Sequence, residues 1–186
     1  MAHVSNVDPQ TLPADLKDVF DRFTSGYGPF ANQAAVLAHV PAALRHLPEM
    51  LMALKTAGAV PQRYIELAIV VVSRHNECTY CVNHHKPKLQ VEGISEAAVD
   101  LILTPDAHPD FTDTDKAVIA WAKKVEGDFH RVVPADIDGL KAHFTESQIV
   151  ELTLRASLCG FFNRFNDALG IEDETLGQNA EAAAAE

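Results

Sequence analysis

Two cysteines and three histidines fall within one short stretch of this chain, HNECTYCVNHHKPKL at positions 75–89. Cys78 and Cys81 stand three apart, so on or near a helix their sulfurs lie one turn apart and can close a small disulfide. If Asn76 caps that helix, Cys78 falls in its first turn, where orphan backbone N–H groups and the helix dipole favour a thiolate. His85 follows Cys81 by four residues and shares its helix face, close enough for an imidazole to exchange a proton with a thiol. A thiol, a neighbouring thiol and a base are the minimum set for reducing an oxidant. One cysteine becomes a sulfenic acid and its neighbour condenses with it to a disulfide.

Other chemistries fit this stretch less well. Structural zinc needs four ligands, usually from two Cys or Cys/His pairs. Here one pair is present, His84 or His85 offers a third ligand, and no fourth is evident. No metal is therefore expected. A thioredoxin-type site places its cysteines between a strand and a helix, whereas these flanks read as helical. A plain helix with two buried cysteines remains the non-chemical reading, because a free cysteine packs as a small hydrophobe. Cys159, alone in SLCGFFN, reads as core in that way.

An acid or base partner is sought next. Glu66 is the lone carboxylate in YIELAIVVV, and Ile65, Leu67, Ala68 and Ile69 leave little room for a polar face. Burial there would raise its pKa and suit it to proton transfer. In one straight helix, the twelve residues to Cys78 would span about 18 Å, too far for any relay. A functional Glu66 therefore requires the chain to turn near SRHN, residues 73–76, folding one helix back beside the next. His75 and Arg74, at that turn, would add positive charge near the thiols. His84 points about 100° from His85 on a helix and is expected to face solvent or a neighbouring subunit.

The elements that must position these groups read as helices throughout. Leu12, Leu16, Val19, Phe20 and Phe23 form one stripe, which SGYGPF then breaks. A short helix fits 30–39, and another spans Leu44 to Leu54, restarting at Pro48 and ending at Gly58. Pro61 opens the apolar helix that carries Glu66. The stretch 77–91 follows, and Gly93 closes it. Ser95 caps a helix through Leu103. Thr112 with Asp115 and Thr145 with Gln148 form capping-box patterns opening helices to Gly127 and about Leu169, with a short helix from Pro134 between them. No period-2 strand or Asn-Gly hairpin occurs. The fold class is all-α, seven to nine helices in a single domain over 1–175. The tail 176–186 lacks an apolar stripe and is expected to be disordered. The loop 104–112 is the best candidate for an internal boundary.

Bulk properties narrow the partners. The 186 residues carry a net charge of −11, with no basic cluster, which disfavours nucleic acid. The apolar run LAIVVV is far too short to span a bilayer, and the N-terminus has no signal-peptide pattern. A cytoplasmic protein with no membrane partner is expected. Three cysteines make no disulfide framework.

Glu66, eleven intervening residues, Cys78, two, Cys81, three, His85: this combined spacing resembles the signature of the AhpD-like alkylhydroperoxidases of the carboxymuconolactone decarboxylase superfamily. VLAHVPAALRHLPEML is similar to the helix-Pro-helix segment upstream of that motif, and FFNRFNDALGIE to an Asn-Arg segment near the end of many members. The resemblance covers most of residues 30–172, with its motif core over about 40–130. It implies an AhpD-like helical bundle that assembles through its helices into a homo-oligomer, often a trimer or hexamer. It also implies hydroperoxide reduction without a bound cofactor. Cys81 would match the peroxide-attacking cysteine, Cys78 the resolving one, and His85 with Glu66 the proton relay. The redox-active Cys78–Cys81 disulfide would be reduced by an external dithiol, in the family a lipoyl-type group. Some members carry a further histidine just before the later cysteine, and here Tyr80 stands in that place. Two alternatives accompany this reading. One is a non-catalytic redox switch. The other is a decarboxylase-like enzyme acting on a small organic acid or lactone, against which the cysteine pair argues. Asn163, Arg164 and Asn166 are expected to serve packing or subunit contacts.

Overall fold

The structure, a computed structural model, describes residues 2–174. Among them are nine α-helices and no strand, so the fold is all-helical as the periodicity predicts. No helix among the described residues is long and apolar enough to cross a membrane. The segment 176–186, expected to be disordered, lies outside the described residues. The chain groups into two compact units, one comprising Met1–Gly58 with Asn166–Glu186 and the other Ala59–Phe165. The loop 104–112 lies inside the second.

In the first unit, α1 (Ala14–Arg22) turns Leu16, Val19 and Phe20 inward. Its last turn widens into a π-turn over Phe23–Tyr27, where a break was expected. The wider turn lets Phe23 and Tyr27 stack at 5.1 Å, with Phe30 5.9 Å from each. The short α2 (Ala31–Leu37) is buried over most of its length. Next, α3 (Pro41–Ala57) runs through Pro48 without the predicted restart, ending at Gly58 with φ +58°. Pro41 suits the first helical position, and Gly58 supplies the left-handed C-terminal residue. Asn166 accepts from Gln33 Nε2 at 3.0 Å, which satisfies two buried amides within this unit.

The second unit is organised around α4 (Gln62–His75), every residue of which from Ile65 to Ser73 is buried. Burial on all sides explains why its valine run reads like a strand yet forms a helix: neighbours, not solvent, cover each face. It packs against α5 (Thr79–Val91) and α7 (Asp113–Gly127). The core joins Leu67, Val70, Val71 and Val72 to Leu89, Ile119, Ala122, Leu152 and Ala156.

Between α5 and α7, the helix α6 is capped by Ser95 as predicted but spans only Glu96–Asp100, with turns carrying the chain on to Leu103. The capping box of Thr112 and Asp115 opens α7. Asp115, fully buried, also accepts two hydrogen bonds from Arg63 of α4, at 2.9 and 2.7 Å. This planar pairing anchors α4 to the start of α7. The unit is completed by α8 (Pro134–Lys141) and α9 (Glu146–Leu169), the latter opened by the predicted Thr145–Gln148 pattern. Arg164 of α9 pairs with Glu126 of α7.

Candidate active site

The joint between α4 and α5 decides whether Glu66 can meet the cysteine segment. The chain leaves α4 through Glu77, a non-glycine residue with φ +58°. The Glu77 N–H donates to Arg74 O at 3.3 Å and the Cys78 N–H to Ser73 O at 2.9 Å. This is a Schellman termination, in which the left-handed residue reverses the chain and satisfies the last carbonyls of the helix. The turn falls where SRHN required it. Asn76 closes α4 instead of capping α5, and Cys78 itself is the N-cap. The reason is that a left-handed residue at 77 can only follow a helix end, so the next helix starts after it. Cys81 then sits at the third position of α5, still in the first turn, and His85 lies one turn further on.

The reversal brings α5 alongside α4. The Nδ1 of His85 lies 2.6 Å from Oε2 of Glu66. Both are buried, Glu66 at 1% and His85 at 8% exposure. A carboxylate can only accept, so Nδ1 carries the proton and Nε2 of the neutral ring presents a lone pair. Glu66 has two further partners. Gln62, one turn earlier on α4, donates to Oε1, and Lys88 Nζ lies 3.7 Å from the same oxygen.

These contacts reverse the expected pKa shift of Glu66. Burial alone pushes the carboxyl up, but His85, Lys88 and Gln62 together outweigh it and hold it below its ordinary value. His85 moves down as well, because burial disfavours the imidazolium more than Glu66 favours it. The pair is therefore an ionised carboxylate beside a neutral imidazole, an arrangement able to accept a proton at Nε2.

All three cysteines are buried thiols. Cys78 is 0% and Cys81 6% exposed. A cavity of about 330 Å³ reaches Cys78 and is lined by Ser73, Arg74, Glu77, Val82, Asn83 and Lys86 among others. Arg74, on its rim, pairs with Asp100 at 3.0 Å. His75 is exposed, and its ring lies over Gly127 of α7. His84 does not face solvent as expected: it is 3% exposed. Its Nδ1 donates to Tyr80 O at 2.8 Å, and its ring stacks on that of Tyr80 with centroids 4.2 Å apart. Tyr80 thus occupies the site as a buried stacking platform. The thiol of Cys159 is in the core as predicted, with burial pushing it up to about 12.

Gln62 and Lys88 were not singled out from the sequence. Their signal is periodic: Gln62 precedes Glu66 by four residues and Lys88 follows His85 by three, so each shares a helix face with a member of the pair.

Residues 41–124 match the carboxymuconolactone decarboxylase family. The fold matches an uncharacterised peroxidase-related protein with an AhpD core from Ralstonia eutropha JMP134, 23% identical, with TM-score 0.77 over 93% of this chain and 92% of that one. A protein of unknown function from Agrobacterium tumefaciens, ATU0492, named as a candidate antioxidant defence protein AhpD, is 22% identical with TM-score 0.65 over 74% of this chain and 94% of its own.

Residues 41–124 thus resemble the carboxymuconolactone decarboxylase family, and the fold is the one its AhpD-like structural neighbours share.

The same fold also carries a different named chemistry. The debrominase Bmp8, in complex with 2,3,4-tribromopyrrole, is 17% identical with TM-score 0.75 over 92% of this chain and 91% of its own. No curated protein matches at the level of sequence. The shared fold thus supplies the helical scaffold, and the chemistry follows from the side chains that this chain places on α4 and α5.

Proposed function

We propose that this protein is a thiol-dependent hydroperoxide reductase in which Cys81 attacks the peroxide. The reading is carried by the buried His85–Glu66 pair, 2.6 Å apart, one turn beyond Cys81 on α5. Glu66 fixes the tautomer of His85, and the Nε2 lone pair takes the Cys81 proton. The thiolate attacks one oxygen of ROOH, and the O–O bond breaks. The departing alkoxide receives a proton from the imidazolium and leaves as ROH. Cys81 is now a sulfenic acid, two electrons more oxidised. The Cys78 thiol attacks its sulfur, the S–S bond forms, and the hydroxyl leaves as water. An external dithiol, by two exchange steps, returns both cysteines to thiols and is itself oxidised to a disulfide.

Peroxide consumption with dithiothreitol, measured on the wild type, Cys81→Ser and Cys78→Ser, tests this. Wild type should turn over both cumene hydroperoxide and hydrogen peroxide. Cys81→Ser should fall to background. With dithiothreitol left out, Cys78→Ser should consume one equivalent of peroxide and hold a sulfenic acid at Cys81 that dimedone traps. Full turnover by Cys81→Ser overturns the assignment. Because Bmp8 shares the fold, 2,3,4-tribromopyrrole belongs in the assay as a second substrate candidate. A wild type that consumes no peroxide but changes its assembly on oxidation would instead be a redox switch.

A further inference from the structure

We infer that Asn163, on α9, is a positioning residue for Cys78. Its side-chain amide spans the turn from which Cys78 emerges. The Oδ1 of Asn163 accepts from Asn76 Nδ2 at 3.0 Å, and its Nδ2 donates to Ser73 Oγ at 3.3 Å. Ser73 and Asn76 are the residues at which α4 closes, and the Ser73 carbonyl accepts the Cys78 N–H at 2.9 Å. One amide thus holds both flanks of the turn, and the turn holds the backbone of Cys78.

The clamp is buried and continuous. Asn163 is 1% and Ser73 0% exposed. The Ser73 hydroxyl also lies 3.2 Å from Cys159 Sγ, and that thiol donates to Ile69 O at 3.3 Å. The bridge survives either orientation of the amide, because the Asn76 amide and the Ser73 hydroxyl can each donate or accept.

The consequence concerns the Cys78–Cys81 bond. Cys81 is held within the first turn of α5, but Cys78 lies outside the regular helix, with φ −76° and ψ 95°. Its place relative to Cys81 is set by the turn, and the turn is held by Asn163. Fixing one thiol against another raises its effective concentration and favours the disulfide over the open dithiol. Closing that bond in the proposed cycle consumes the Cys81 sulfenic acid and the Cys78 thiol and releases water.

This inference rests on Cys78 and Cys81 forming a redox pair, as proposed above, but its test needs no peroxide. Wild type, Asn163→Ala and Asn76→Ala are equilibrated in oxidised and reduced dithiothreitol, well below their denaturation midpoints. Alkylation and peptide mapping then give the Cys78–Cys81 disulfide fraction. Both variants should shift the equilibrium about tenfold toward the dithiol, which is about 30 mV for a two-electron couple. In a Cys78→Ser background, the iodoacetamide reactivity of Cys81 should stay within twofold when either asparagine is replaced, which a general loosening of the helix would not permit. Asn76 is only half-buried, so its variant decides the matter if Asn163→Ala fails to fold. Equilibria unchanged within twofold overturn the positioning role alone. A wild type that forms no Cys78–Cys81 disulfide overturns the redox reading together with it.

Discussion

Glu66 and His85, nineteen residues apart in sequence, meet at 2.6 Å in the interior of one helical unit, with the carboxylate fixing which imidazole nitrogen carries the proton. In globular cores such polar groups are tolerated only when paired, and here the pairing leaves a base directed by its partner. In the proposed cycle this relationship gives Glu66 a part in the proton transfer as well as in the packing.

Replacing it should therefore separate charge from shape. In Glu66→Gln, the loss of the carboxylate removes the influence that holds the His85 pKa up, so the imidazole becomes a weaker base and its tautomer is no longer imposed. The kcat/KM for peroxide should fall by about 10²-fold, the low end of what a positioned general base contributes. The acid limb of the pH profile should move to lower pH. A limb that stays in place or moves up would show that His85 is not the titrating group.

Stability should also follow pH in a defined direction. Both His85 and Glu66 have depressed values in the folded protein. As pH falls below about 6.5, the unfolded His85 gains a proton that the folded one refuses, so its contribution, complete above that pH, is lost progressively on acidification. Glu66 adds a second loss as pH falls through its folded value, below the ordinary carboxyl range. Urea midpoints of the wild type and His85→Gln, compared from pH 7.5 to 5.5, read the His85 part as their difference. A wild type that gains on the variant as pH falls would contradict the sign.

The Arg63–Asp115 pair offers a purely structural counterpart. Asp115 is fully buried, caps α7 and accepts both bonds from Arg63. Asp115→Ala removes its half of the capping box and the carboxylate that pairs with Arg63, which keeps only the carbonyls of Glu92 and Asp110. It should destabilise the fold by about 3 kcal/mol by denaturant unfolding. A loss below about 1 kcal/mol would mean that water replaces the carboxylate at little cost.

At Glu77 a gain is expected. Its left-handed backbone, φ +58°, is strained for any residue with a Cβ. Glycine there removes the strain but adds freedom to the unfolded chain. The net effect of Glu77→Gly should be a stabilisation of about 0.5 kcal/mol, seen as a higher urea midpoint with an unchanged slope. Destabilisation would show that the Glu77 side chain, on the rim of the cavity beside Cys78, makes contacts that outweigh its backbone.

What the sequence disclosed was mostly what short-range periodicity carries. The spacing of Glu66, Cys78, Cys81 and His85 placed the turn near residue 76, and the Thr112–Asp115 and Thr145–Gln148 patterns marked two helix starts, because each of these is a local hydrogen-bonding arrangement. The misreadings came from elsewhere. Pro48 looked like a break, yet packing carries α3 through it. The direction of the Glu66 shift depends first on His85 and then on Lys88 and Gln62, and the first two reach the carboxylate from a different helix. His84, about 100° from His85 on the helix, was expected to face solvent or a neighbouring subunit, whereas it is buried and stacks on Tyr80. The bridge that Asn163 makes to Ser73 and Asn76 joins residues about ninety apart, and no local pattern announces it.

The joint at residues 76–78 also makes this segment intolerant of length change. Gln62 and Glu66 lie on one helix and Cys81, His85 and Lys88 on the next, joined by three residues of which Cys78 is the last. One residue inserted into that joint would break the Schellman pairing that sets where α5 starts, and one inserted in the first turn of α5 would turn His85 by about 100° about the helix axis. His85 would swing off Glu66 even though every helix could still form. Along this stretch, evolution and engineering alike can exchange side chains far more freely than they can add or remove a residue.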